Sequence, residues 1–418
     1  MILHRGMCLV GLFVLSMAAG PASAAPGQAG LRGDGGPCHA QQGWLRRQVV
    51  EAGYPGARMV VWQRGRNLVD EAAGFADIAR SRALHDDAIY RIYSMTKPIV
   101  SAAVLRLVGE GRARLDDPVS DHLPQFAQLQ VQDADGRLRA PARPVTIRHL
   151  LTHTAGFPVA EGEALRRREA ADLEHSATLA DYVERLRAVP LERDPGLRFT
   201  YDSIATEVLG RLVEVWSGRE LDAYLRETLL EPLGMRDTGF DVPAAERGRI
   251  VELSRGGAGG RLQPVDEAHA GDPGTRLRPY PSAAGGLYST AADYLVFARM
   301  LLGRGSLEGR EYVPAALVDE MFRDQLPALG AEPAYIDETP GRGFGLGVSV
   351  LRDPAALGRA GAPGQVGWTG AASTYFVVDP ATQTIGLLLL QHLPNGRSDD
   401  LPRVANAFYN HVQQVAAP

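Results

Sequence analysis

The sequence predicts an α+β fold, with an antiparallel sheet built from the early and late parts of the chain, helices flanking it, and an all-helical region inserted. Two observations carry this expectation. Short β-prone runs cluster near residues 57–75 and return between 345 and 392, while residues 91–334 alternate apolar helical periodicity with long loops. Strands at both ends with a helical middle require a discontinuous layout, and a functional site is expected where the two parts meet.

Residues 1–24 read as a secretory signal peptide: His4 and Arg5, an apolar run from Met7 to Ala19, then Ala22-Ser23-Ala24 as a small-residue cleavage site. A Gly/Ala/Pro-rich flexible leader follows over 25–40. The expected destination is the periplasm or the exterior, because no later run approaches the roughly 18 apolar residues of a membrane span. Cys8 would leave with the signal, and Cys38 alone can form neither an internal disulfide nor a cysteine zinc site. Net charge is −5, which gives no footing for a nucleic-acid partner. One domain is expected over 41–418, its sheet drawn from about 41–90 and 335–418 and its helical region from about 91–334.

Within that domain, Gln41 to Ala52 predicts a first helix, and Ala57–Trp62 with Leu68–Phe75 a hairpin turning at Arg64-Gly65-Arg66-Asn67. An apolar helix opens at Ser94 and stops at Gly109-Glu110-Gly111, with Pro98 tolerated in its first turn. Further helices are expected over Leu179–Val189, through Val208, Leu212 and Val215, and from Gly285 to about Leu302. Residues 256–281 and 329–342 read as long loops to which the sequence assigns no role. Strands are expected at 345–350, 364–368, 373–378 and 384–392, then a last helix from about Leu401 to Val415.

The chemistry gathers on Ser94-Met95-Thr96-Lys97. Residues three apart share a helix face, which sets an amine one turn from a hydroxyl. A serine needs a base to become a nucleophile, and a lysine serves only when its amine can lose a proton. Of the 44 lysines and arginines a single one, Lys97, is lysine. Arginine serves every other cationic position and cannot serve this one, because its guanidinium does not deprotonate. Tyr201 is a candidate partner, since a phenol beside an ammonium can share its proton and act as base and then acid. Gly367-Trp368-Thr369-Gly370 precedes the last strands, and the Ala371 amide is a candidate to join that of Ser94 as an oxyanion hole.

Other chemistries lack their residues. There is no Gly-x-Ser-x-Gly elbow and no His-Glu-x-x-His. His149 and His153 sit four apart in a loop-like context without an obvious third metal ligand. Asp116-Asp117 reads as a turn or cap, and His392 as structural.

With Ser94-Met95-Thr96-Lys97, Tyr201-Asp202-Ser203 and Trp368-Thr369-Gly370 in this order, the chain resembles the serine β-lactamase and penicillin-binding superfamily. It is most similar to the class C β-lactamase-like branch that includes the family VIII esterases. Leu150-Leu-Thr-His-Thr-Ala-Gly156, Pro232-Leu-Gly-Met-Arg-Asp-Thr-Gly239 and Gly285-Gly-Leu-Tyr-Ser-Thr290 add to the likeness, which runs from about Gln41 to the C-terminus. The resemblance implies a β-lactamase/transpeptidase-like fold, Ser94 as acylated nucleophile, Lys97 and Tyr201 as proton-transfer pair, and the Ser94 and Ala371 amides as oxyanion hole. It also places Ser203, Trp368, Thr369 and Gly370 at the substrate, and requires neither metal nor organic cofactor.

Two departures bear on the substrate. Trp368 stands where lactamases and penicillin-binding enzymes usually carry the lysine of Lys-Thr-Gly, and an indole offers apolar surface and one N–H in place of a cation. Ser203 stands where class C enzymes have asparagine. The expectation is therefore an esterase acting on small-molecule acyl esters of short to medium chain. The alternatives are a D-alanyl-D-alanine carboxypeptidase, a D-aminopeptidase or a weak β-lactamase on the same scaffold, and, from another class, a non-catalytic sensor.

Overall fold

The computed structural model describes residues 43–159, 162–265, 272–331 and 340–416. The signal peptide, the leader, both cysteines and parts of the two long loops lie outside these residues.

Seven antiparallel strands form the main sheet: β1 (Gly56–Gln63), β2 (Arg66–Gly74), β3 (Arg342–Phe344), β4 (Ser349–Leu351), β5 (Val366–Gly370), β6 (Thr374–Asp379) and β7 (Thr384–Leu389). Their spatial order is β3-β4-β5-β6-β7-β1-β2, so the first hairpin closes onto the last strand. Val60 of β1 sits opposite Leu387 of β7, and Trp368 of β5 opposite Phe376 of β6.

Side chains alternate across a strand, and here both faces are apolar. Val60, Trp368, Phe376, Val378 and Leu387 enter the core shared with the helical region. Met59, Val61, Tyr375, Val377 and Leu388 pack instead under the ends of the chain, with Leu45 and Val49 beside Phe408 and Val412. A sheet covered on both sides reads as near-continuous apolar runs, which is the character of Thr384–Leu389.

The inserted region supplies α1 (Thr96–Gly109), α2 (Ile147–Leu151), α3 (Leu179–Leu186), α4 (Ile204–Ser217) and α5 (Ala291–Leu302), and the terminal helix is α6 (Ala405–Ala416). Of the 14 residues of α1, 11 are buried, so this helix is apolar nearly all round and runs through the middle of the domain. Each of its buried Ile, Val and Leu side chains contributes roughly 1.5–3 kcal/mol.

Four local expectations are corrected. Residues 345–350 are not one strand: Gly345 to Val348 turn between β3 and β4, with Gly345 N–H donating to Val348 O. A side chain at Gly345 would place its Cβ 1.9 Å from Met321 O, so the turn is pressed against the helical region. The run 384–392 is broken after Leu389, and His392–Leu393 pairs in parallel with Ser254–Gly256, which pairs in turn with Leu262–Pro264. Part of the loop expected over 256–281 is therefore strand. The helix expected from Gly285 begins only at Ala291, after the two-residue strand Tyr288–Ser289, whereas the expected first helix is present over 44–50 and ends as a π-helical turn at Arg46–Val50.

The end of β5 presses on the segment before Ser94. A Cβ at Gly370 would stand 2.3 Å from Ile92 O and 2.2 Å from Thr374 Oγ1. Gly370→Ala is expected to cost about 1–3 kcal/mol by overpacking. A thermal melt checks this, and slower covalent labelling of Ser94 should accompany the lower midpoint.

Candidate active site

Ser94 lies in a single 3-10 turn, Tyr93–Met95, that runs directly into α1. Tyr93 is held left-handed with φ 44°, a conformation that costs an L-residue about 1 kcal/mol and persists only where its surroundings enforce it. Here they do: Met95 N–H donates to Ile92 O and Ile92 N–H to Leu287 O, which bends the chain sharply before the helix. Ser94 is left half-buried at the junction of the sheet and the helical region.

Lys97, one turn on, is only 3% exposed. Its Nζ donates to Ser94 Oγ at 3.2 Å and to Ala284 O at 2.7 Å. The same nitrogen stands 4.9 Å from the centre of the Tyr201 ring. The spacing read from the sequence thus brings hydroxyl and amine together, and the fold adds the phenol from a segment more than a hundred residues away.

Tyr201 is fixed by the residues around it. Asp202 is buried; its Oδ1 accepts the Ala205 N–H at 2.7 Å at the start of α4, which satisfies one of the donors a helix leaves open. Its Oδ2 lies 3.4 Å from His153 Nδ1. His153 follows α2 with φ 53°, a turn that brings its ring to 4.8 Å from that of Tyr201. Burial lowers the His153 pKa, and the neighbouring carboxylate of Asp202 opposes this. Neither Asp202 nor His153 in this role was expected from sequence. The sequence offers His153 as half of a metal pair with His149 and gives Asp202 no role of its own.

Trp368 closes the other side. Its Nε1–H donates to Tyr201 Oη at 3.3 Å, and the two rings are 5.0 Å apart. Phe344 of β3 packs edge-on to Trp368 at 5.2 Å and to His153 at 5.4 Å. The indole expected at the substrate thus also touches the Tyr201 phenol. Gly370, at the end of β5, leads into the turn at Ala371, where Ser373 N–H donates to Gly370 O. Through Gly370 this turn abuts Ile92, two residues before Ser94. Ser203, at the start of α4, and Thr369, on β5, are half-buried flanking positions.

His149, His392 and Asp116 are engaged in contacts outside this group. His149 caps α2: Thr146 N–H donates to its Nδ1 at 3.1 Å, and its own N–H donates to Thr146 Oγ1. His392 Nε2 meets Asp400 Oδ1 at 2.9 Å, and Asp116 takes a two-pronged ion pair from Arg148. Among the described residues no group of three or more His, Cys, Asp and Glu is placed to hold a metal ion, and no helix is long and apolar enough to cross a membrane.

Glu207 was missed. It lies in the first turn of α4, 3% exposed, on the stripe that otherwise buries Ile204, Val208 and Leu212. Burial raises its carboxyl to about 7, against hydrogen bonds from Ser282, Ala283 and Ala284 and the charge of Lys97. The available signal was an acid inside an apolar stripe.

Comparison with known proteins bears on the family and the fold. The family model described as "Beta-lactamase" matches residues 42–409. Esterase EstB of Burkholderia gladioli is 36% identical, over 83% of this chain and 88% of its own length. Protein Rv1367c of Mycobacterium tuberculosis is 35% identical, over 86% of this chain and 91% of its own. In three dimensions the chain is similar to EstCE1, described as a hydrolase with promiscuous acyltransferase activity, with TM-score 0.74, 24% identity and coverage of 91% and 98%. At that identity the structural likeness speaks for the fold.

His149 generates a test of acid stability. Burial is the main reason its pKa falls from 6.5 to about 4, so between those values the unfolded chain binds a proton that the folded chain does not. Stability due to this group is therefore present above pH 6.5 and declines as pH falls toward 4. In melts across that window, His149→Gln should show a shallower loss than the unsubstituted protein.

Proposed function

The chain belongs to the β-lactamase family of serine hydrolases, and from that premise we propose that it cleaves carboxylic esters of short to medium acyl chain through an acyl-enzyme on Ser94. In this reading Ser94 Oγ attacks the ester carbonyl carbon while its proton passes to the Lys97/Tyr201 pair. The tetrahedral oxyanion is received by the Ser94 and Ala371 amides. Collapse breaks the bond to the alkoxy oxygen, which leaves as the alcohol with the proton returned by the pair. Water then attacks the acyl carbon and gives a proton to the pair; the bond from that carbon to Ser94 Oγ breaks, the pair returns the proton to Oγ, and the acid leaves. Ser203 and Thr369 border the substrate.

The observation that carries the ester preference is the Trp368 Nε1–H on Tyr201 Oη. A lysine at this position would offer a cation to a substrate carboxylate; the indole offers a neutral donor and commits it to the phenol. A neutral acyl ester loses nothing by that exchange. The 36% identical relative described as an esterase supports the same reading.

Turnover of p-nitrophenyl butyrate and of a chromogenic cephalosporin, measured side by side, tests it. Fast ester cleavage with little cephalosporin turnover is expected, and Ser94→Ala and Lys97→Arg should each lose the ester activity, the latter because a guanidinium cannot give up its proton. Cephalosporin turnover equal to ester turnover would transfer the assignment to the lactamase or peptidase alternatives. Trp368→Lys should move preference toward substrates bearing a carboxylate, read as a rise in the cephalosporin-to-ester ratio of kcat/KM.

A further inference from the structure

The residues around Ala284 form a loop folded on the carboxylate of Glu207. Glu207 Oε1 accepts the Ser282 hydroxyl at 2.5 Å and the Ala284 N–H at 3.4 Å, while Oε2 accepts the Ala283 N–H at 2.8 Å. The loop is closed by Gly285 N–H and Gly286 N–H, both donating to Ser282 O. Successive N–H groups are thereby drawn to the acid, and the carbonyl that follows them, Ala284 O, accepts from Lys97 Nζ at 2.7 Å. One peptide segment thus links the carboxylate to the amine.

We propose that Glu207 is a positioning residue for Lys97: its carboxylate holds the Ser282–Gly286 loop so that the Ala284 carbonyl grips the amine. The inference rests on the reading of Ser94 and Lys97 as nucleophile and base. It explains why an acid occupies the buried stripe of α4, where a leucine would pack without a desolvation cost. Without an acceptor there, the hydroxyl of Ser282 and the amides of Ala283 and Ala284 would be buried unpaired.

The groups that face Glu207 define the electrostatics. Lys97 approaches from α1 and is the cation acting on it. Tyr182 on α3 and Tyr280 in the loop before Ser282 are buried phenols, both pushed up mainly by burial and next by the Glu207 charge. Beyond them lie Glu174, Asp202, Arg168 and Arg278, which act on those phenols.

The test is the rate of covalent labelling of Ser94 by a fluorophosphonate probe from about pH 5 to 9, which reads the nucleophile whatever the substrate. Burial places the Glu207 proton at about 7, so the profile should carry an inflection there that Glu207→Gln, which has no such proton, removes. Ser282→Ala takes one hydrogen bond from the carboxylate, favours its neutral form, and should move that inflection to higher pH. An inflection unchanged in both variants would overturn the inference, even if their melting points fall, since a merely structural acid changes stability and not the profile. A folded wild-type protein that takes no label at any pH would instead sink the reading of Ser94 itself, and this inference with it.

Discussion

The amine of Lys97, held between the hydroxyl of Ser94 and the carbonyl of Ala284, is the contact on which the site depends. The amine belongs to a side chain that is almost wholly buried. Burial in turn demands partners for every polar atom brought inside. The core around α1 supplies them from three directions: Ser94 on its own turn, the Ala284 carbonyl from the loop before α5, and the Tyr201 ring from the segment before α4.

That demand propagates outward. The loop that offers the Ala284 carbonyl is gripped by Glu207, and the phenol is gripped by Trp368, His153 and, through the peptide it belongs to, Asp202. These side chains are buried or nearly so within an apolar core. A buried polar network of this kind is costly when half satisfied and rigid when complete. Its rigidity is what a proton-transfer site needs, since the donor and acceptor atoms must meet within hydrogen-bonding distance each turnover.

The surface follows different rules. Pairs such as Arg304 with Asp319 and Arg219 with Glu227 are exposed, and each contributes at most about 1 kcal/mol. Arginine can fill all such positions because they ask only for a cation. In the proposed mechanism Lys97 is the position where a guanidinium would not serve, which accounts for the one lysine among 44 lysines and arginines.

Much of this was legible in the chain. Ser94 and Lys97 are neighbours through helical periodicity alone, so their contact was fixed locally, and the two-ended pattern of β-prone runs announced a sheet closed by distant segments. The turn at Gly345–Val348 and the break after Leu389 escaped notice, because each is set by what presses on the backbone: Met321 O at the first, and the pairing of His392 with Ser254 at the second. The same distinction runs through the site. Sequence determined which residue types were present and which pair lay one helical turn apart. Tertiary structure decided that Trp368 donates to Tyr201, that His153 and Asp202 hold the phenol, and that Glu207 shapes the loop on Lys97. Those contacts join segments far apart in the chain, where burial and hydrogen-bond satisfaction select partners that no local periodicity encodes.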